Sequence, residues 1–409
     1  MAKEQNDSLD FTGNAWEILF QTVDNARFES DDSELIFEAV EKSIHFIPFG
    51  EYLKRYIYEK TEMQEDFDTV PLEEYQRTII DSFRETHTPA SFEPKSTRLS
   101  ALAKNWLTQI NVSRKTVFLL GFGLAMSAED VNDFLRKGIR EQGFNAKDPF
   151  EVICWYCYKN GYTYLKYESL MRAFSETEPG SSSLNSLYDE YTVSLHHAVR
   201  NLNSDAALMN YILKLRTPDN RTIISKSVFD SFTSLYRETR EAVADFFNAI
   251  EDEETIIYYG LRKSGREQKV YTADDISAYD VEKVLYSAIP RDNHDNMIPS
   301  RRSKLHEQFN GYRINRQRIS DILDGKTEAN RYDLITLHFF IFSQQEMNQY
   351  RNRRKRFDVF IESMNQKLEK CYLSQLYVTN PYECFILMCI LSDDPLVTFS
   401  DVYEMAYTE

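Results

Sequence analysis

The chain has 409 residues, a formal net charge of −17 and a hydrophobic fraction of 42%, enough apolar material for two or three domains with a core each. Its 12 glycines and 11 prolines are too few for loop-rich or β-barrel designs and favour long helices. The acidic balance excludes a surface that attracts nucleic acid everywhere, so any such contact needs a local basic patch.

MAKEQNDSLD is polar with no apolar segment behind it, which predicts a disordered tail over 1–12 and no signal peptide. No run reaches the roughly 18 apolar residues that a bilayer span needs. A cytoplasmic protein with reduced thiols and no membrane partner is expected. Trp16 to Val23 and Ser33 to Phe46 read as helices; after Pro48, Phe49, Leu53, Tyr56 and Ile57 share one face, and Pro71 opens a helix carrying Tyr75, Ile79 and Phe83. Ser127 with Asp130 forms a capping signal, Asp148-Pro149 starts another helix, and Gly161 ends it.

EPGSSS at 178–183 is the best linker, so an N-terminal helical module is expected over 13–177, a helical middle over 184–280 and a C-terminal module over 281–409. In the middle, Leu187, Tyr191, Leu195 and Val199 form one stripe and Val228, Phe232, Leu235 and Tyr236 another. At most one short β-ribbon is expected, within 256–272. The fold class is therefore all-α and multi-helical.

Two stretches repeat. Ser113-Arg114 aligns with Asn330-Arg331, and Val117, Leu120, Phe122 and Leu124 align with Leu334, Leu337, Phe339 and Ile341. Ser127 falls on Ser343, where a further helical pattern is expected to begin. DPFEVICWYC (148–157) then matches NPYECFILMC (380–389), with Pro149, Glu151 and Cys157 identical to Pro381, Glu383 and Cys389. Between these blocks the second copy is longer, and RNRRKRFDVFIESMNQKLEKC reads as an extended helix. Two related helical modules, each burying one apolar face, are expected.

The stretch Ile314 to Lys326, followed by Leu334 and Leu337, resembles the Xre/Cro-type helix-turn-helix family. That resemblance implies that Asn315, Arg316, Gln317 and Ser320 point outward into a major groove and that Lys326 lies near a phosphate. The earlier copy has no glycine where Gly325 stands. The whole chain is also similar to multi-helical proteins of Gram-positive gut bacteria and their mobile elements, which implies no particular activity.

Arg301, Arg302, Lys304, Arg313, Arg316 and Arg318 stand against Glu307 alone among acids in their segment. This contrast points to phosphate neutralisation, or else to a solvated face or an acidic partner. A second basic run, 351–356, could follow a backbone or pair with acids such as Glu251 to Glu254. Cys154 and Cys157 form a C-x-x-C inside an aromatic helix, which reads as core rather than as a redox or zinc site. His196 and His197 diverge on a helix, and Gly121 and Gly123 suit close helix packing. No nucleotide-loop, nucleophile-elbow or zincin motif occurs, so no enzyme, metal or cofactor is expected. The expectation is a DNA-binding or regulatory protein, with duplex DNA ahead of RNA as the partner. The alternative is a protein-interaction scaffold, through a partner or self-association, for instance in phage defence or another mobile-element function.

Overall fold

Ser127 and Asp148 cap helices where the sequence places them in the computed structural model of the chain. It describes residues 33–34, 36–37, 48–63, 65–93, 98–177, 192–216, 222–261, 263–264, 267–292, 297, 312–346, 349–350, 352–377 and 380–408. The chain divides into two compact units, one of residues 46–224 and one of residues 1–45 with 225–409. The expected linker at 178–183 and the tail at 1–12 lie outside the described residues. The expected helical middle is apportioned between the units near residue 224.

In the first unit, α1 (Phe49–Lys60) and α2 (Leu72–Glu85) bury the expected stripes, with Phe49, Leu53, Ile57, Tyr75, Ile79 and Phe83 at 2% exposure or less. Next come α3 (Leu99–Trp106), α4 (Arg114–Gly123) and α5 (Ala128–Asp133), the last opened by a capping box between Ser127 and Asp130 and closed by a π-turn over Phe134–Gly138. A Cβ on Gly123 would overlap the Phe83 ring, so α2 and α4 approach closely because that position has no side chain. The α6 helix (Pro149–Lys159) starts at the Asp148 cap. It ends in a Schellman turn at Gly161 (φ 65°), where the Tyr162 N–H reaches the Cys157 carbonyl at 2.9 Å. Among the described residues three helices complete the unit: α7 (Tyr164–Glu176), α8 (Thr192–Arg200) and α9 (Asp205–Leu213). Leu195, Val199, Leu208 and Ile212 join its core.

The second unit takes up α10 (Ile223–Ala249), whose Val228, Phe232, Leu235 and Tyr236 are buried as expected. The short α11 (Glu253–Tyr259) leads to a ribbon of two-residue strands, β1 (Lys263–Ser264) and β2 (Glu267–Gln268). After α12 (Ala278–Leu285) come α13 (Arg316–Leu323) and α14 (Arg331–Ile341), then α15 (Arg353–Lys370), α16 (Pro381–Leu391) and α17 (Pro395–Thr408). Among the described residues no helix is long and apolar enough to cross a membrane.

The aligned blocks have matching geometry. In the first unit the Arg114 guanidinium donates to both oxygens of Glu151, at 2.9 and 2.7 Å, and Glu151 also accepts the Asn145 N–H at 2.7 Å. In the second, Arg331 meets both oxygens of Glu383, at 2.9 and 3.0 Å, and Glu383 accepts the Tyr377 N–H at 2.6 Å. Each arginine is the first residue of its helix, and each glutamate takes the N–H six positions before it. Fork-to-fork pairing of this kind fixes orientation as well as distance.

The copies part company after the apolar helix. In the first, Ala125 enters the left-handed region (φ 48°) and breaks the helix, so that Ser127 can cap α5. In the second, the chain runs from α14 straight into a π-turn over Phe342–Glu346, and no helix begins at Ser343. There the Ser343 hydroxyl donates to the Phe339 carbonyl at 2.7 Å instead of accepting an N–H. The expected extended helix is likewise a separate one, α15, started by the Asn352 cap.

Candidate nucleic-acid interface

The helix expected to read a groove is α13. Asn315 caps it by accepting the Arg318 N–H at 2.8 Å, and Ile319 and Ile322 are fully buried. Gly325 (φ 69°) stops it in a Schellman turn, with the Lys326 N–H on the Asp321 carbonyl at 2.8 Å and the Gly325 N–H on Ile322 at 3.1 Å. An αL residue is needed here, and glycine supplies it without strain.

Two buried carboxylates hold α13 in place. Asp333 receives the Arg318 guanidinium on both oxygens at 2.6 Å while completing the capping box of α14 with Asn330. Burial pulls the Arg318 pKa down, and the hydrogen bonds and charge of Asp333 raise it overall. Glu282 of α12 accepts the Arg316 N–H at 2.7 Å at the helix N-terminus, where a negative charge is favoured, and also pairs with Arg291 at 3.4 Å.

Seven of the ten sequence-predicted residues can therefore be located. Asn315 is half-buried and serves as the cap, and Arg318 is half-buried on Asp333. Gln317 and Ser320 are exposed; the first donates to Asp321 at 2.9 Å and the second to the Arg316 carbonyl at 2.9 Å. Lys326 pairs with Asp324 at 2.7 Å, which raises its pKa. Arg313 lies over the ring of buried Tyr286 at 5.7 Å. Arg301, Arg302 and Lys304 lie outside the described residues. Asp321, Asp324 and Lys326 thus accompany Gln317 and Ser320, so this face carries no excess of positive charge.

Positive charge gathers instead at the N-terminal end of α13. The Arg316 guanidinium carbon lies 5.6 Å from the Tyr279 ring centre, that of Arg291 at 5.8 Å and the Lys283 ammonium at 5.7 Å. Lys283 also lies over Tyr258 at 4.9 Å. Burial, and then the charge of Arg291, lower the Lys283 pKa, against Asp280. The Arg291 side chain is 8% exposed and paired with Glu282, so Lys283 and Arg316 are the cations of this group that can attract an anion, and the tyrosine quadrupole offsets part of the repulsion among the three. Of this group the sequence reading names Arg316 alone. Tyr279 and Lys283 are i,i+4 neighbours on α12, a spacing that could have flagged them. Arg291 comes after Pro290, and its place beside Tyr279 depends on the tertiary fold.

The other candidates are occupied by the fold. Arg353 pairs with Asp393 at 2.5 Å, Arg354 with Asp358 at 3.5 Å, and buried Arg356 donates to the Ser392 carbonyl at 2.5 Å. All five cysteines are buried, and burial pushes the Cys157 and Cys384 thiols up to about 12, far from the thiolate that redox or zinc chemistry needs. Among the described residues no group of His, Cys, Asp and Glu is assembled to hold a metal. No family model, no curated protein and no solved structure matches the chain.

Proposed function

We propose that the chain is a non-enzymatic, cytoplasmic regulatory protein that binds nucleic acid through its second unit, with Lys283 and Arg316 on the phosphate backbone and Arg291 held behind them by Glu282. The observation that carries this reading is the convergence of Lys283 and Arg316 on Tyr279, with Arg291 beneath them, in a chain of net charge −17. It keeps the polarity implied by the Xre/Cro-type resemblance, in which the N-terminal end of the second helix approaches the nucleic acid. It moves the contact from Asn315 and Arg318, which hold the helix, to the group around Tyr279.

The test is binding of the full chain to random-sequence duplex DNA and to RNA at about 50 and 200 mM salt, with a steep salt slope expected. Arg316→Ala should lower that slope by about one while the protein stays folded, as the loss of one phosphate contact would. Arg318→Ala should instead lower the melting temperature, since it strands the buried Asp333. Salt-independent binding, or none at low salt, would sink the reading. A second reading, a protein-interaction scaffold, is favoured by exposed Tyr162 and Leu165 on the first unit, at 40% and 56%.

A further inference from the structure

Cations alone would suit any polyanion, but here they belong to a connected aromatic track. Tyr258 stands in the last turn of α11, 41% exposed, beside Ile257 at 76%. Its ring is fixed from several sides. The hydroxyl donates to the Ser287 carbonyl at 2.7 Å, Tyr259 meets the ring edge-on at 4.8 Å, and the Lys283 ammonium lies 4.9 Å above it. Lys283 then links Tyr258 to Tyr279, at 4.9 and 5.7 Å, and Tyr279 leads on to Arg316. On the other side Tyr259 packs on Phe247 at 5.3 Å, and Phe247 on Tyr271 at 5.6 Å.

A duplex presents phosphates on its outside and keeps its bases stacked, so it has no use for an exposed tyrosine face beside a cation. A single strand offers both unstacked bases and phosphates, and sequence-tolerant sites for it alternate aromatic platforms with positive charge. A ring already anchored by its hydroxyl and its neighbour loses little freedom when a base stacks on it.

Resting on the reading of the second unit as a nucleic-acid binder, we infer that its ligand is single-stranded, with a base stacked on Tyr258 and the adjoining phosphates on Lys283 and Arg316. DNA and RNA strands share this chemistry, and the two arms of the test separate them. Fluorescence anisotropy of the full chain would be measured with labelled oligothymidylate, oligouridylate and random-sequence duplex, each of about 20 units, longer than the roughly 4–16 nucleotides of common single-strand sites. The expected order is either single strand tighter than duplex. Tyr258→Ala should weaken single-strand binding by roughly ten-fold, the scale of one lost stacking contact, and Tyr258→Phe, which keeps the ring and loses only its hydroxyl anchor, should recover most of it. Melting curves would verify that both variants fold.

Duplex bound as tightly as either strand, with Tyr258→Ala without effect, would overturn this inference and leave the nucleic-acid reading standing. Displacement by polyglutamate at equal charge, again with Tyr258→Ala without effect, would mark an acidic-peptide surface and overturn it too. No binding of any of the three probes at low salt would overturn both.

Discussion

Asp148→Asn isolates one charge in the first Arg–Glu clasp. Asp148 caps α6 by accepting the Phe150 N–H at 2.9 Å, close to Glu151 and Arg114. Burial and then the Glu151 charge push its carboxyl up to about 7, against the Phe150 N–H and Arg114, which pull it down. The folded pKa lies above the unfolded value of 3.8, so the native state retains a proton that the unfolded chain has already released. That contribution is complete below about pH 4 and is lost as pH rises through about 7. A rise of roughly three units corresponds to at most about 4 kcal/mol. Asp148 is only half-buried, and screening by solvent brings the expected loss to about 1–2 kcal/mol.

Asparagine keeps the cap, as Asn380 does at the equivalent place by accepting the Tyr382 N–H at 3.0 Å. Urea unfolding of the full chain at about pH 5 and pH 8 would be followed by tryptophan fluorescence. Trp106 and Trp155 report on this unit's core, the latter stacked on Phe144 at 4.9 Å. His196, whose pKa is lowered first by burial and then by Arg200 and Arg136, has the opposite slope in acid. It is present in both proteins, so the difference between them cancels it. The wild type should lose about 1–2 kcal/mol relative to Asp148→Asn between the two pH values. Equal pH dependence in the two proteins would refute the assignment of that proton to Asp148.

In the second unit, Arg331→Met leaves Glu383, whose side chain is 1% exposed, without its fork and should cost about 3–5 kcal/mol. Hydrogen exchange in α14 and α16 would report it, and a cost below about 1 kcal/mol would show that the carboxylate relaxes into water. Gly123→Ala should lower stability by about 1–3 kcal/mol because its methyl group meets the Phe83 ring, and an unchanged melting temperature would mean that α2 and α4 can separate cheaply. With Cys157 and Cys384 pushed up to about 12 and all five thiols buried, no cysteine should react with a thiol reagent near neutral pH until the chain unfolds. Rapid labelling of the native protein would contradict that burial.

What the sequence reveals of the fold is the part written in local chemistry. Ser127 with Asp130, Asp148 with Pro149, and the glycines at 161 and 325 declare helix ends by the hydrogen bonds and φ values that they alone accommodate cheaply. The clasps show the limit of this. The repeat aligns Arg114 with Arg331 and Glu151 with Glu383, but partners 37 and 52 residues apart along the chain meet only once the helices pack. The candidate site was legible at one member, Arg316. Counting arginines by run also brought in Arg318, whose partner Asp333 lies 15 residues on and takes it into the fold. It passed over Lys283, a lone cation in sequence that becomes one of three in space.

The divergence of the copies bears on where function can reside. The clasp survives in both, which fits a framework role, since a buried fork pair is costly to break one partner at a time. Around it the chemistry differs. Asp148 and Glu141 give the first clasp a surplus of carboxylates, whereas Asn380 and the Ser374 hydroxyl, 3.2 Å from Arg331, surround the second with neutral groups. Asp333, the third residue of α14, anchors Arg318 and through it α13, whereas the matching position of α4 holds Thr116, whose N–H goes to the Ser113 cap. A neutral hydroxyl there offers neither the charge nor the two-oxygen fork with which Asp333 holds Arg318. The second copy can therefore brace a short helix whose N-terminus meets the cations around Tyr279, and the first copy lacks the charge to do so. On the nucleic-acid reading proposed above, that asymmetry favours a single binding face, on the second copy, over two equivalent ones.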